Sequence, residues 1–450
     1  MINLIVELSK YLLVILVILY TLQCFQMFRK REEHRQNALL RKQLAVIVLF
    51  LTLSFLVMFL KSKDFRMIFF YGEMLLYVAA IEIAYRLLYQ KASMLLVNNM
   101  CMLLSIGLVI LCRLNMEKAE RQFMIVAAGS ALALAVPVMI QKMRFLKKLT
   151  WVYAAVGVVM LAAVFVLGRT TFGAKLTLFG VQPSEFIKII FVFFMASLLW
   201  KDSSFLQVVR ATAVAGMHVL ILVMSRDLGS ALVFFITYLV MIYVVTRKPL
   251  YFAGGMAGGA VASVIAYFLF GHVQQRVTAW KRPFSVYEQE GYQIVQSMFA
   301  IGTGSWFGMG LFQGSPESIP VADEDFVFSA ICEELGGAFA ICLILICMSF
   351  FLMIVNISLQ IKNPFYKLIA LGLGTEYAFQ VFLHIGGATK FIPMTGITLP
   401  LVSYGGSSAL TTIIMLAIIQ GLYILREDED EELEKIRKAL EQNAQEEVGR

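Results

Sequence analysis

The chain has 450 residues, 60% of them hydrophobic and 15% charged, with a mean hydropathy of +0.80 and a net charge of +8. Soluble domains average roughly 45–50% apolar and 25% charged residues, so a soluble globular protein is excluded. The basic residues sit in short connections between apolar runs, as membrane topology demands, rather than in the stripe a nucleic-acid binder needs. Six cysteines (Cys24, Cys101, Cys112, Cys332, Cys342 and Cys347) fall in or at the ends of apolar runs, and four histidines form no paired motif. Neither pattern supplies metal-ligand or disulfide spacing. The composition therefore points to no cofactor; a divalent cation, Mg²⁺ or Mn²⁺, held loosely on carboxylates is the one candidate left open.

The first apolar run, Asn3 to Phe28, is long enough to cross the ~30 Å hydrocarbon core. A cleaved signal peptide carries its basic residues before the run, whereas here Arg29, Lys30, Arg31, Arg35, Arg41 and Lys42 follow it. That order predicts a retained helix with its N-terminus outside. Further spans are expected over 43–60, 67–89, 94–111, 123–140, 151–167, 185–200, 208–224, 228–245, 251–270, 326–357, 366–385 and 399–425. The chain thus reads as an all-α polytopic bundle of about thirteen transmembrane helices. Strict alternation places the basic connections 29–42, 141–148, 246–250 and 361–367 in the cytoplasm, in keeping with the positive-inside rule, and the tail from Arg426 inside as well. In that tail, Glu431/Lys435 and Glu434/Lys438 are i,i+4 pairs that favour a short solvated helix.

Three polar clusters abut the membrane on the outer side. In the first, 168–189, Ser184 is placed to cap a helix whose first turn holds Glu185, three residues before Lys188. In the second, 225–232, Asp227 is placed to cap the next helix. In the third, 390–408, two prolines and several glycines interrupt what hydropathy alone reads as one helix. Broken backbone at membrane depth is tolerated only where protein or a water-filled cavity satisfies it, so this segment is expected to line a cavity. A fourth polar stretch, the loop from Gly271 to Asp325, is the longest interruption in the chain. A loop of that length inside a compact protein is usually functional or disordered.

The segments GVQPSEFIKI, DLGSAL, GYQIVQSMFAIGTGSWFGMGL, DFVFSAICEELG and PMTGITLPLVSYGGSS closely resemble, in family order, the signature segments of the SEDS family (shape, elongation, division and sporulation), which comprises FtsW, RodA and SpoVE. The resemblance runs from about Met94 to Leu425, or roughly ten spans. It divides the chain into an additional N-terminal membrane module (1–92), a SEDS-like domain (93–425) with the outer loop 271–325, and a charged cytoplasmic tail (426–450). It implies a peptidoglycan glycosyltransferase of the bacterial cytoplasmic membrane that polymerises lipid II into glycan strands at the outer face, in division, elongation or sporulation, with a class B penicillin-binding protein as partner. Two alternatives accompany it: a catalytically impaired scaffold or activator of such a partner, and a flippase for lipid-linked precursors.

The reaction implied displaces a lipid pyrophosphate from the anomeric carbon of one sugar by the 4-hydroxyl of the next. It needs a base for the hydroxyl and cationic groups for the leaving pyrophosphate. The outward basic residues Arg169, Lys175, Arg276, Lys281, Arg282 and Lys390 are candidates for the phosphates. Glu185, Lys188, Asp227, Gln293, Gln296, Ser403 and Tyr404, which lie in the matching segments, are the other substrate-binding candidates. In the family the base is an aspartate in the large outer loop. Ungapped alignment of RVT (276–278) and GYQ (291–293) puts Val286 at that place, and valine cannot take a proton. Glu288, two residues on, and Asp325, at the end of the loop, are the candidate replacements. The chain also has Ser225-Arg226 where the family commonly has Gln-Pro, and His384 where asparagine is common.

Overall fold

The computed structural model describes residues 2–29, 32–171, 174–178 and 180–448, with side chains for all of these except 2, 3, 144, 169–171, 174–176 and 430–448. Three helices open the chain: α1 (Ile2–Arg29), α2 (Glu33–Ser62) and α3 (Arg66–Leu88). The next are α4 (Met94–Leu114), α5 (Met116–Ala133), α6 (Val136–Lys142) and α7 (Thr150–Leu167). The expected span 123–140 is thus two helices broken just before Pro137, which lacks an amide hydrogen and so ends the first. A short antiparallel ribbon, β1 (Arg169–Thr171) and β2 (Ala174–Thr177), precedes α8 (Pro183–Leu199), α9 (Phe205–Met224), α10 (Leu228–Thr246) and α11 (Pro249–Leu269).

The expected outer loop is folded rather than loose. It holds α12 (Gly271–Lys281), a 3₁₀ turn (Pro283–Val286), α13 (Tyr292–Gly304) and a second 3₁₀ turn (Pro316–Ser318). Then follow α14 (Val327–Gln360), α15 (Pro364–Ala388) and α16 (Gly406–Val448). Among the described residues, twelve helices are long and apolar enough to cross a membrane. The 17-residue α8 is a little shorter but nearly buried throughout, and completes the thirteen crossings. The segment 391–405 is irregular, including 399–405, expected as the start of the last span, and α16 begins only at Gly406.

Contacts between connections sort them onto two sides. Lys147 lies over Trp200, and Ser93 shares two hydrogen bonds with Gln420. At the other end, Arg113 reaches Glu334, Lys118 reaches Asp323, and Arg276 reaches Met394. For the connections they join, these contacts agree with strict alternation. The N-terminal end of α1 lies on the side of the 271–325 segment, since the Tyr11 ring is 5.3 Å from that of Phe307.

Two packing features set the shape of the outer end. The first is a break in α14 at Gly336, whose φ of 87° and ψ of 167° interrupt the helix. The backbone groups it frees are taken up by 305–310: Met309 N donates to Glu333 O and Gly310 N to Glu334 O, both at 2.8 Å, while Gly337 N and Ala338 N donate to Ser305 O and Trp306 O. A break inside the bundle is tolerated because protein satisfies it. The approach is so close that a Cβ on Gly308 would lie 2.2 Å from Glu334 O.

The second feature is a polar seam that joins the N-terminal helices to the rest. Tyr20 Oη and Cys24 Sγ both donate to Asn99 Oδ1, at 2.9 and 3.2 Å; Asn99 Nδ2 reaches Ser349 Oγ, and Asn98 Nδ2 donates to Gln43 Oε1 at 3.0 Å. In lipid, apolar surface gives helices no reason to prefer one another, so buried hydrogen bonds and close packing select the partner. The module 1–92 accordingly shares one continuous apolar core with α4 and α14. Asn99→Leu, which leaves Tyr20 and Cys24 without an acceptor, is expected to cost about 1–3 kcal/mol, read as a lowered thermal unfolding midpoint in detergent. An unchanged midpoint would show that the seam does not hold the module.

Candidate active site

Three outer segments converge at the site. Lys118, in the first turn of α5, ties two of them together: its Nζ is 2.5 Å from Asp323 Oδ2 and 4.0 Å from Glu324 Oε1, and lies over the Tyr404 ring. Tyr404 N donates to Asp323 O, and Ser403 Oγ donates to Glu324 O at 2.6 Å. The acidic run 323–325 is therefore sewn to the broken segment 398–405. Asp325 is the member that this network leaves over. Its carboxylate has no hydrogen bond and no cation within 4 Å among the described residues. Partial burial pushes its pKa up to about 6, against the lowering effect of Arg276 and with a further push from Asp323.

Arg276, on α12, is fixed from the other side. Its Nη1 donates to Met394 O at 3.3 Å and Thr395 O at 3.1 Å. Burial lowers its pKa and the charges of Asp325 and Asp227 raise it. The free face of the guanidinium meets Asp325 across Gly396: a Cβ there would be 3.9 Å from both Arg276 Nη2 and Asp325 Oδ2. Gly396 is exposed and has a φ of 72°, so the turn that favours glycine also leaves the gap between cation and carboxylate open.

Beside Arg276 lies a cleft of about 430 Å³ lined by Met224, Arg226, Leu269, Phe270, Gly271, His272 and Gln275. Burial lowers the His272 pKa, and the charges of Arg226 and Arg276 lower it further, so a neutral imidazole stands beside two cations. The cleft's other wall is apolar. Arg226 entered the sequence reading only as a departure from the family pattern, yet it lines this cleft. Its signal in the sequence is its place directly before Asp227, where the chain turns with a φ of 64°.

The other sequence candidates are distributed as follows. Asp227 caps α10 as expected, accepting from Ser230 N at 3.1 Å. Ser184 does not cap α8: Gln182 is the cap residue and Pro183 the first helical residue, and Ser184 Oγ instead donates to Asp227 Oδ2 at 3.3 Å. Glu185 and Lys188 pair at 2.6 Å inside the bundle and are both buried, with Lys188 also on Gln380 Oε1, so they brace helices and do not face the cleft. Ser403 is buried as a strut, and Tyr404 is half-buried under Lys118.

Gln296 Nε2 donates to Tyr287 Oη at 3.0 Å, whereas Gln293 is half-buried with no hydrogen-bonded side-chain partner among the described residues. Lys281 and Arg282 are exposed at the end of α12, and the carbonyl of Lys390 accepts from Trp280 Nε1. The side chains of Arg169 and Lys175 lie outside the described residues; their backbone forms the ribbon. Glu288 is exposed, with no ion pair or hydrogen-bonded partner among the described residues, and Val286 is half-buried against the core. Among the described residues no three His, Cys, Asp or Glu side chains are grouped to hold a metal ion, and Asp323 in the acidic run is paired with Lys118.

Known proteins share this architecture. A solved structure described as "Structural coordination of polymerization and crosslinking by a peptidoglycan synthase complex" superposes with a TM-score of 0.64 at 23% identity, covering 74% of this chain and 98% of that one. The rod shape determining protein RodA of Thermus thermophilus matches with a TM-score of 0.56 at 22% identity over 74% and 96%. By sequence, the peptidoglycan glycosyltransferase RodA of Mycobacterium tuberculosis is 32% identical over 365 residues, 72% of this chain and 76% of its own. The probable peptidoglycan glycosyltransferase FtsW of Aliivibrio salmonicida is 34% identical over 284 residues, 59% and 70% of the two chains. The profile of the family described as "Cell cycle protein", FtsW/RodA/SpoVE, matches residues 85–427, which leaves α1 and α2 and nearly all of α3 outside it. A thirteen-span bundle that matches the family profile from the end of α3 onward is thus a multi-pass membrane protein that belongs to the FtsW/RodA/SpoVE family.

Proposed function

We propose that this protein is a peptidoglycan glycosyltransferase that polymerises lipid II at the outer face of the bacterial cytoplasmic membrane, with a class B penicillin-binding protein as its partner. Family membership supplies the reaction class. The observation that carries the substrate is the cleft beside Arg276, lined by the cation Arg226, the polar His272 and Gln275, and the apolar Met224, Leu269 and Phe270. A lipid pyrophosphate has the same two halves: phosphate oxygens want charge-assisted donors, and the chain wants an apolar wall. The basic residues in the connections support a cleft on the outer side and a C-terminus in the cytoplasm.

The test is polymerisation of labelled lipid II by the purified full chain with its cognate penicillin-binding protein, with glycan strands resolved by length. Strands are expected. Their absence, under conditions in which the Mycobacterium tuberculosis RodA makes them, overturns the reading. Val286 motivates a second reading, because the ungapped alignment puts this half-buried apolar side chain where a loop aspartate is expected. Enhanced cross-linking by the partner without any new strand would support that scaffold, and translocation of lipid II without polymer would support a flippase.

A further inference from the structure

We propose that the lipid-facing side of α3 is a docking surface for one transmembrane helix of a second protein, a helix that carries a lysine or arginine level with Glu73. This goes beyond the glycosyltransferase reading and does not depend on it. The surface lies before residue 85, where the match to the family profile begins, so it belongs to the added N-terminal module.

One side of α3 buries Met67, Phe70, Met74, Tyr77, Ile81 and Tyr85 against its neighbours. The opposite side is exposed. There Phe69, Gly72, Leu76, Ala79 and Ile83 recur at intervals of three and four residues, the spacing with which one helix meets another along a seam. Large and small residues alternate along this row. A Cβ added at Gly72 would meet nothing within 4 Å, so the row is notched and the notch is open. Apolar notches alone would suit lipid chains equally well, but Glu73 beside them does not.

Arg66 and Arg86, near the two ends of α3, are about 30 Å apart along the helix axis, which is the thickness of the hydrocarbon core. Glu73 lies about 10 Å below Arg66, two turns into the span. The rings of Phe70 and Tyr77 on either side of it both meet that of Phe123, which is likewise two turns into α5. At that depth the Glu73 side chain is exposed, and among the described residues it has no hydrogen bond and no cation within 4 Å. The nearby charges are committed elsewhere: Arg66 pairs with Asp64 at 3.2 Å, and Glu82, the other carboxylate of α3, is buried and paired with Arg86 at 3.0 Å. A glutamate stem is too short to lift its charge over two helical turns to water. An ionisable group left in hydrocarbon is costly, and a partner that brings the opposite charge to the same depth offsets that cost.

A second copy of this chain is the wrong occupant. Two copies inserted in the same direction would meet about a twofold axis along the membrane normal, which sets Glu73 against Glu73 at one depth. Like charges repel there. A phospholipid ammonium stays in the headgroup layer, above the carboxylate. The occupant that fits is a helix of different sequence, with its cation two turns below one end and apolar side chains to fill the notches at Gly72 and Ala79.

The probe is a synthetic leucine- and alanine-rich transmembrane helix with a single arginine two turns below one end, reconstituted with the full chain in phosphatidylcholine vesicles. Energy transfer between a dye on the helix and one on the C-terminus of the protein reads the binding. The arginine helix is expected to bind about tenfold more tightly than the same helix with leucine in that place. Glu73→Leu should abolish the preference, and Glu73→Lys should transfer it to a helix that carries glutamate instead of arginine. Because Glu73 holds nothing within the chain, Glu73→Leu should leave the thermal unfolding midpoint unchanged. Equal binding of the arginine and leucine helices overturns the proposal. So does a preference that survives Glu73→Leu, a midpoint lowered by that substitution, or self-association of the wild type that the substitution removes. Strand synthesis from lipid II tests the glycosyltransferase reading separately, so either can fail alone.

Discussion

Arg113→Ala is expected to be among the most damaging single substitutions in the chain. The Arg113 guanidinium closes the outer end of the bundle: Nε donates to Glu334 Oε1 at 2.7 Å, Nη2 reaches Gly314 O and Glu317 Oε2, and the group lies 4.5 Å over the Phe312 ring. Glu334 has a side chain only 1% exposed, and its Oε1 also accepts from Phe312 N. Removing the arginine leaves that carboxylate buried without its cation, which costs about 3–5 kcal/mol in comparable buried pairs. It also releases residues 312–317, which directly follow the stretch 305–310 that satisfies the broken backbone of α14. Thermal unfolding in detergent should show a large drop in midpoint, and strand synthesis should fall with it. Arg113→Met combined with Glu334→Met should recover stability, because it removes both charges, but should not recover synthesis, because the loop stays unanchored. A single mutant with normal stability would show that the pair is not what holds the outer end.

Lys188→Ala is the second. Its ammonium sits between Glu185 and Gln380, and Glu376, fully buried, has no hydrogen-bonded partner on either oxygen. Without Lys188 the buried Glu185 carboxylate loses its cation beside the buried Glu376, a placement that costs several kcal/mol inside a membrane. The expected result is loss of monodisperse protein on size exclusion. Lys188→Met with Glu185→Gln should restore much of it, and a folded Lys188→Ala protein would show that this ion pair does not hold the helices together.

Most of the bundle is legible in the sequence for a simple reason: thirteen stretches are too apolar to lie in water, and the lysines and arginines between them say which ends share a side. The expected spans and the observed helices differ mainly at their ends. Where the sequence misleads, the cause is tertiary. The 271–325 stretch reads as a loose loop because α12 and α13 are too polar and too short for membrane hydropathy to register. They fold because Ser297 Oγ meets Ser329 and Ala388, and because 305–310 completes a broken helix. Ser184 is misread as a cap because the proline before it already starts the helix.

The site follows the same division. The residue types needed for phosphate and for proton transfer can be recognised in the chain, and Asp227 and Asp325 were both marked from it. Which carboxylate is left without a partner cannot be read there, since that depends on Lys118 reaching 205 positions along the chain to Asp323. The pairing of Lys188 with Glu185 is visible from their spacing, but its burial is not. The sequence by itself determined that this is a many-span membrane protein with a polar outer segment and a family's set of motifs, because hydropathy and motif order are local properties. Only the tertiary structure decided which of the charges those motifs carry are braces and which face the cleft, because burial and ion pairing depend on segments that meet only when the bundle closes.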